Sequence, residues 1–447
     1  MSDAATSADP TTIDVWLTDH PIPDFNAPVR AAAETFCRAH PGYEIRIREI
    51  NYRELPREVA EAVARGNPPD IAEYYFPATQ VALDTRAADG APLFVPLHQA
   101  IGDRTKILGE PVVVDDIVPA VRDYYSRGGE LVSMPTMAST AILFANKDML
   151  RRAGVERVPA TWRELTDACA AVTALPDGPA HGVAWPNHGW FFQMELAAQG
   201  GLLSNSDNGR SGRSTRVFLD SPEMLSYARW WKDMHDRGYY RYTGEPRDFW
   251  GAMDAFAKQE TAFVVTSSAV GPYLTDLATK AGFEIATGQM PRNEEAPYAG
   301  RSLGGQSMFL SASLPKEKED AALAFTQHLL NPHHAVQRVY AGSLPVMQPA
   351  YDQIIAEDWA DQEPGFRDAA EQVVSSDRTP AATGALLGDI NGINEVLTSA
   401  MHDVLTSGTD PESRFRAATE EGQERLDRYN AACLAYPPVT PEALQAG

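Results

Sequence analysis

Apolar positions along the first eighty residues alternate between two periods. Ile13 to Leu17 is a short apolar run that predicts a strand, and it ends in the polar cluster Thr18-Asp19-His20. From Pro28 to about Ala39 the apolar positions Val29, Ala32, Ala33, Phe36 and Cys37 fall at helical spacing, and Ile45-Arg46-Ile47-Arg48 then alternates as a strand. A second helix is predicted over Arg53 to Arg65, stopped by Gly66, and Asp70 to Tyr75 supplies the next strand. Strand, helix, strand, helix, strand is the doubly wound α/β pattern, with parallel strands and helices on both faces. Ligands of such sheets bind beyond the carboxyl ends of the strands, which makes Thr18, Asp19, Tyr52, Glu73, Tyr74, Tyr75 and Phe76 candidates by position.

The middle of the chain is punctuated as clearly. Met134 to Thr140 reads as a turn carrying hydroxyl residues, followed by an apolar strand, Ala141 to Ala145, and a short helix ending at Gly154. Val158-Pro159-Ala160 leads into a helix whose N-cap is Thr161, with Glu164 completing a capping box and Trp162, Leu165, Ala168, Cys169 and Val172 on one face. Gly182 to Gly201 is dense in aromatic residues, and Ser204 to Ser214 reads as a surface loop. Ser221-Pro222-Glu223 opens a helix that ends at Gly238, Phe249 to Phe256 begins another, and Ala262 to Ser268 is a buried strand with hydroxyls at its end. Gly304-Gly305 precedes the strand Met308 to Leu310, and its paired glycines either let the backbone approach a ligand or turn the chain. From Lys316 onward the pattern is helical, through to Tyr429.

Length, charge and reactive residues narrow the function. A chain of 447 residues suits two domains, and 44% apolar with 22% charged residues is a globular composition. No window approaches the roughly 18 uninterrupted apolar residues of a membrane-spanning helix. With 38 basic against 61 acidic residues the net charge is −23, which argues against nucleic acid as a partner. Cys37, Cys169 and Cys433 are too far apart for a recognisable metal motif, and His333-His334 lacks the spacing of a helical zinc site and reads as solvated surface. No H-E-x-x-H, CxxC, GxGxxG or Walker pattern occurs, so no catalytic residue, metal or cofactor is expected. Asp19, Glu73 and Asp389 are carboxylates that could serve as bidentate acceptors for neighbouring sugar hydroxyls or, on an enzyme, flank a glycosidic bond.

Several of these segments occur in a familiar order: Tyr52 with Gly66-Asn67-Pro68-Pro69, the Asn146-Lys147-Asp148 turn before a helix, Thr161-Trp162-x-Glu164-Leu165, Gly189-Trp190, Ser267-Ser268, Gly304-Gly305 and Leu344-Pro345. In that order and spacing the chain resembles the bacterial extracellular solute-binding proteins of ABC importers, in the group that takes carbohydrates. The resemblance implies a two-lobe periplasmic-binding-protein fold of type II, with a ligand cleft between the lobes and a helical carboxyl-terminal portion. The first lobe is expected over residues 1–130 and 285–335 and the second over 131–284 and 336–447. Implied ligand contacts are Asp19, Tyr52, Glu73, Tyr75, Phe76, Ser139, Thr140, Trp190, Ser268, Gly305, Gln306, Ser343 and Asp389, with the Trp190 indole as a stacking platform.

Three positions depart from the family's glycerol-3-phosphate-binding members: Phe76 replaces an acidic residue, Ser343 a tyrosine, and Leu386 the arginine of a Gly-x-Arg-Leu-Gly segment. Loss of that arginine removes a bidentate phosphate partner and favours a neutral mono- or oligosaccharide. The alternatives are a glycerol-3-phosphate or glycerophosphodiester ligand, or a cytoplasmic enzyme acting on a sugar. Implied partners are a small-molecule carbohydrate and a membrane ABC permease, for a protein that is itself a monomer. The opening MSDAATSADPTT carries no signal-like apolar region and no lipid-accepting cysteine, so the implied location is extracellular or at the cell surface with the signal segment absent, and the cytoplasm is the alternative.

Overall fold

In chain order the elements that frame the molecule are β1 (Thr11–Asp19), α1 (Ala27–Ala39), β2 (Tyr43–Asn51), α2 (Leu55–Ala64), β3 (Ile71–Tyr75), β4 (Phe94–Val95), β5 (Met134–Ser139), β6 (Ala141–Asn146), α3 (Lys147–Arg152), α4 (Trp162–Thr173), β7 (His181–Ala184), α5 (Gly189–Ala198), α6 (Pro222–Asp236), β8 (Tyr240–Arg241), α7 (Phe249–Ala257), β9 (Thr261–Ser267), α8 (Gly271–Ala281), β10 (Ile285–Gln289), β11 (Gly304–Ser311), α9 (Lys316–Leu329), α10 (Pro332–Tyr340), α11 (Phe366–Val374), α12 (Ile390–Ser407) and α13 (Pro411–Leu434). The computed structural model describes residues 9–20 and 22–434.

These strands form two mixed sheets, one per lobe. The first runs β2-β1-β3-β11-β4, with β5 also paired to β11. Its opening strands are parallel, Val15 opposite Ile47 on one side and Ile71 on the other, as the alternating periods predict. β11 then joins antiparallel, Met308 opposite Glu73, because it arrives from the other lobe. The second sheet runs β8-β7-β9-β6-β10.

Thr140 alone separates β5 of the first sheet from β6 of the second, and the chain returns between Gln289 and Gly304. Both passages lie later than the positions 130 and 285 expected from the sequence: β5 belongs to the first sheet and β10 to the second. The stretch Met134 to Ser139 is therefore a strand and not the expected turn; β11 supplies its hydrogen-bonding edge.

Helix starts follow local chemistry. Asn146 Oδ1 accepts from the Met149 amide at 3.0 Å, and Ser221 Oγ from that of Met224 at 3.3 Å. Thr161 Oγ1 accepts from the Glu164 amide at 3.2 Å, while the Glu164 carboxylate reaches back to the Ala160 amide at 2.8 Å, one residue before the cap. The α4 face read from periodicity, Trp162, Leu165, Ala168, Cys169 and Val172, is buried throughout.

Two surface expectations fail. His334 is buried, its Nε2 lying 3.2 Å from Nε2 of His328 and 3.0 Å from Thr35 Oγ1, because α10 packs this face on α1 while His333 stays exposed. The Ser204 to Ser214 segment is wedged between the lobes. Arg210 donates to the carbonyls of Tyr124 and Gly384 at 2.7 and 2.8 Å, and Arg213 grips Asp84 at 2.5 and 3.1 Å. Tyr429 of α13 donates to the same Asp84 at 3.0 Å, so the carboxyl-terminal helix ties both lobes at this edge.

Candidate ligand-binding site

Between the sheets lies a cavity of about 330 Å³. The first lobe lines it from the carboxyl ends of its strands: Asp19 ending β1 and His20 just past it, Tyr52 and Arg53 after β2, Tyr75 and Phe76 at the end of β3, with Ser139 of β5 and Gln306 of β11. The second lobe contributes His188 and Trp190 from the start of α5, Arg247, Phe249 and Trp250 around the start of α7, Ser267 at the end of β9, and Asn391, Asn394 and Glu395 from the first turns of α12.

Aromatic rings dominate the wall. Tyr52 and Tyr75 lie 5.1 Å apart, Phe76 meets Tyr75 edge-on at 5.1 Å, and across the cavity Trp250 meets Tyr273 edge-on at 5.4 Å. Trp250 is 40% exposed whereas Trp190 is 4% exposed. The expected platform at Trp190 is thus mostly covered in this arrangement: a Cβ placed on Gly304 would meet Ser139 Oγ at 3.0 Å, Trp190 Cζ2 at 3.5 Å and Phe76 Cε1 at 3.7 Å. Those three side chains converge on the space that glycine leaves open. The buried Trp190 Nε1 and Gln306 Oε1 have no hydrogen-bond partner among the described residues.

Charge in the cavity is balanced. Arg247 is paired with Glu395, Arg53 donates from Nε to the Tyr52 hydroxyl at 2.9 Å, and Asp19 is the second carboxylate of the lining. Burial is the chief cause that pushes the His188 pKa down to about 3, with Arg53 and Arg247 adding to it; burial and Arg338 push His20 down to about 4. Both imidazoles are neutral near pH 7.

Of the sequence-derived candidates the cavity gathers Asp19, Tyr52, Tyr75, Phe76, Ser139, Trp190 and Gln306. The others lie outside it, each already committed elsewhere. Glu73 accepts from Thr18 Oγ1 at 3.0 Å and Thr136 Oγ1 at 2.6 Å, which also removes Thr18, and Tyr74 packs beneath the sheet against Phe94 and Phe309. Thr140 and Ser268 bond each other at the end of β9, the Thr140 amide donating to Ser268 Oγ at 3.2 Å, and Gln372 donates to Thr140 Oγ1 at 2.6 Å. Ser343 Oγ accepts from the Ala138 amide at 3.2 Å. Asp389 caps α12 through the Gly392 amide at 3.2 Å.

The backbone at Gly305 approaches β5 and not a ligand, since a Cβ there would lie 2.3 Å from the Met137 carbonyl oxygen. Leu386 is also outside the cavity, in the core, with its amide donating to Asn208 O at 2.8 Å. Arginine enters instead at Arg53 and Arg247, which sequence reasoning missed because neither sits in the compared motif. Arg53 was signalled only by adjacency to Tyr52, and Trp250 only by its place on the first turn of a predicted helix.

Known proteins can now be set beside this geometry. Residues 31–367 match the model of the bacterial extracellular solute-binding protein family. The chain belongs to that family. This solute-binding protein is 26% identical over 432 residues to the sn-glycerol-3-phosphate-binding periplasmic protein UgpB of Salmonella paratyphi A, covering 94% of each chain. Its fold is shared with the GacH receptor of Streptomyces glaucescens, a protein studied in complex with acarbose (TM-score 0.73, 19% identity, 94% of this chain and 100% of that one). It is shared equally with UgpB of Mycobacterium tuberculosis in complex with glycerophosphocholine (TM-score 0.72, 20% identity, 94% and 99%). Among the described residues of this solute-binding protein no helix is long and apolar enough to cross a membrane.

Proposed function

We propose that this chain is the substrate-binding component of an ABC importer and that it captures a neutral mono- or oligosaccharide between its lobes, handing it to a membrane permease. One observation carries the choice of ligand: the cavity wall is aromatic, with the exposed Trp250 indole on one side and Tyr52 and Tyr75 on the other, while its two cations are matched by two carboxylates. A sugar offers C–H faces that stack on such rings and hydroxyls for Asp19, Glu395, Asn391 and Ser139. Net positive charge would favour an anionic ester, and two cations against two carboxylates leave none. The relatives support an extracellular binding protein and leave both ligand classes in view, since the proteins that share its fold include one in complex with acarbose and one in complex with glycerophosphocholine.

The second reading, a glycerophosphodiester, draws on Arg53, whose guanidinium has, among the described residues, the Tyr52 hydroxyl and ring as its close partners. A thermal-shift screen separates the two, because any ligand that binds only the native state raises the melting temperature. Maltotetraose or ribitol should stabilise the protein and be recovered unchanged. Stabilisation by glycerophosphocholine alone would replace the first reading with the second.

A further inference from the structure

Two of the cavity's side chains, His20 and His188, come from opposite lobes and share a geometry that neither family membership nor the aromatic wall requires. His20 Nδ1 accepts the Ile22 amide at 3.2 Å, and its ring stacks on Phe25 with centroids 4.0 Å apart. His188 is the N-cap of α5: its Nδ1 accepts the Trp190 amide at 3.0 Å, and its ring meets Phe249 edge-on at 5.6 Å. A neutral imidazole holds one proton, and a nitrogen that accepts a main-chain N–H cannot carry it. The proton of each ring therefore resides on Nε2. Among the described residues neither Nε2 has an acceptor, and both residues line the cavity.

We infer that His20 and His188 are a pair of fixed, uncharged Nε2–H donors, one from each lobe, that grip oxygen acceptors of the bound solute and so select for ligands bearing acceptors at both ends of the cleft. This rests on the cavity being the solute site but not on the ligand being neutral, because hydroxyl, glycosidic and phosphodiester oxygens all accept. The charged neighbours suit the role. Arg338 of α10 acts on His20 beside Asp19, and Arg53 and Arg247 act on His188 with Glu395 paired to Arg247. Burial, with these cations adding to it, keeps each ring neutral, so its donor strength does not change across ordinary pH. A lone arginine at either place would instead favour an anion.

Asparagine and glutamine separate capping from donation. Asparagine places an acceptor where Nδ1 stands, keeping the α5 cap but losing the donor; glutamine can carry an N–H to the Nε2 position. The probe is whichever of maltotetraose, ribitol and glycerophosphocholine stabilises the wild type most. His188→Asn and His20→Asn should each raise its Kd about three- to ten-fold with the apo melting temperature unchanged, and His188→Gln should recover part of the loss. Unchanged Kd in both Asn variants would overturn the inference. Glycerophosphocholine as the best probe would refute the neutral-sugar reading while the Asn variants still test the donors. Long-range 1H–15N spectra of the apo protein give a decision without any ligand. Both rings should be Nε2–H tautomers, still neutral at pH 5.5; an Nδ1–H tautomer, or a ring charged at that pH, would contradict it.

Discussion

At the scale of single residues the two cavity tryptophans exchange the parts that their surroundings in sequence suggest. Trp190 stands in the Gly189-Trp190 pair on which the resemblance rests, yet it is 4% exposed and held between the lobes, whereas Trp250 is 40% exposed. Trp190→Ala should therefore cost about 3–5 kcal/mol of stability in urea unfolding, as expected for a large buried aromatic. Trp250→Ala should leave the unfolding midpoint nearly unchanged and weaken solute binding by about 1–3 kcal/mol. Equal losses of stability in the two variants would contradict the assignment. The sequence could not rank the indoles, because exposure at a lobe junction depends on a contact between residues as distant as 190 and 304. Position along a strand was more legible: Asp19, Tyr52, Tyr75 and Phe76 reach the cavity since they follow strand ends, while Glu73, two residues earlier than Tyr75, faces the interior where Thr18 and Thr136 hold it.

Among the elements, those with caps and one-sided apolar faces were legible from local chemistry: α1, α2, α4 and α6 lie within a few residues of their expected bounds. β5 was not, because its hydrogen-bonding partner β11 is more than 160 residues away and the run Met-Pro-Thr-Met-Ala-Ser, with a proline and no β-branched apolar residue, has no local strand signature. The same pairing explains Gly305. Gly305→Ala should destabilise the protein by about 1–3 kcal/mol in urea unfolding, since the added methyl meets a backbone carbonyl that cannot yield; a neutral effect would show that β5 and β11 can separate.

A second element-scale prediction concerns α8, where a Cβ on its first residue, Gly271, would lie 3.0 Å from Glu363 Oε1, an atom with no hydrogen-bond partner among the described residues. Burial pushes the Glu363 pKa up to about 7. The folded state then holds a proton that the unfolded chain releases near 4.5, so this group's contribution is fully present below that pH and is lost as pH rises through about 7. Glu363→Gln should raise the melting temperature at pH 8 and leave it unchanged near pH 4. An equal effect at both values would place the carboxylate in solvent.

For the whole molecule, two lobes joined through Thr140 and the 290–303 passage, with a cavity lined from both, imply that solute binds more tightly to the arrangement in which the lobes approach. Saturating solute should therefore shift the population and reduce the radius of gyration in solution scattering. An unchanged radius would mean a preformed site. The edge clamp of Asp84 with Arg213 and Tyr429 lies outside the cavity, so Asp84→Asn should alter this compaction more than the contacts to solute, read as a changed apo radius. The two-lobe fold was legible because alternating periods and the order of motifs span most of the chain. The lobe boundaries were not, since β5 and β10 each pair in a sheet assembled from distant segments. What the cavity selects is the central claim, and isothermal titration calorimetry of the wild-type protein and Trp250→Ala tests it most directly. Maltotetraose or ribitol should give saturable heat, weakened in Trp250→Ala, and glycerophosphocholine none; tight glycerophosphocholine binding that is indifferent to Trp250 would overturn the neutral-sugar reading.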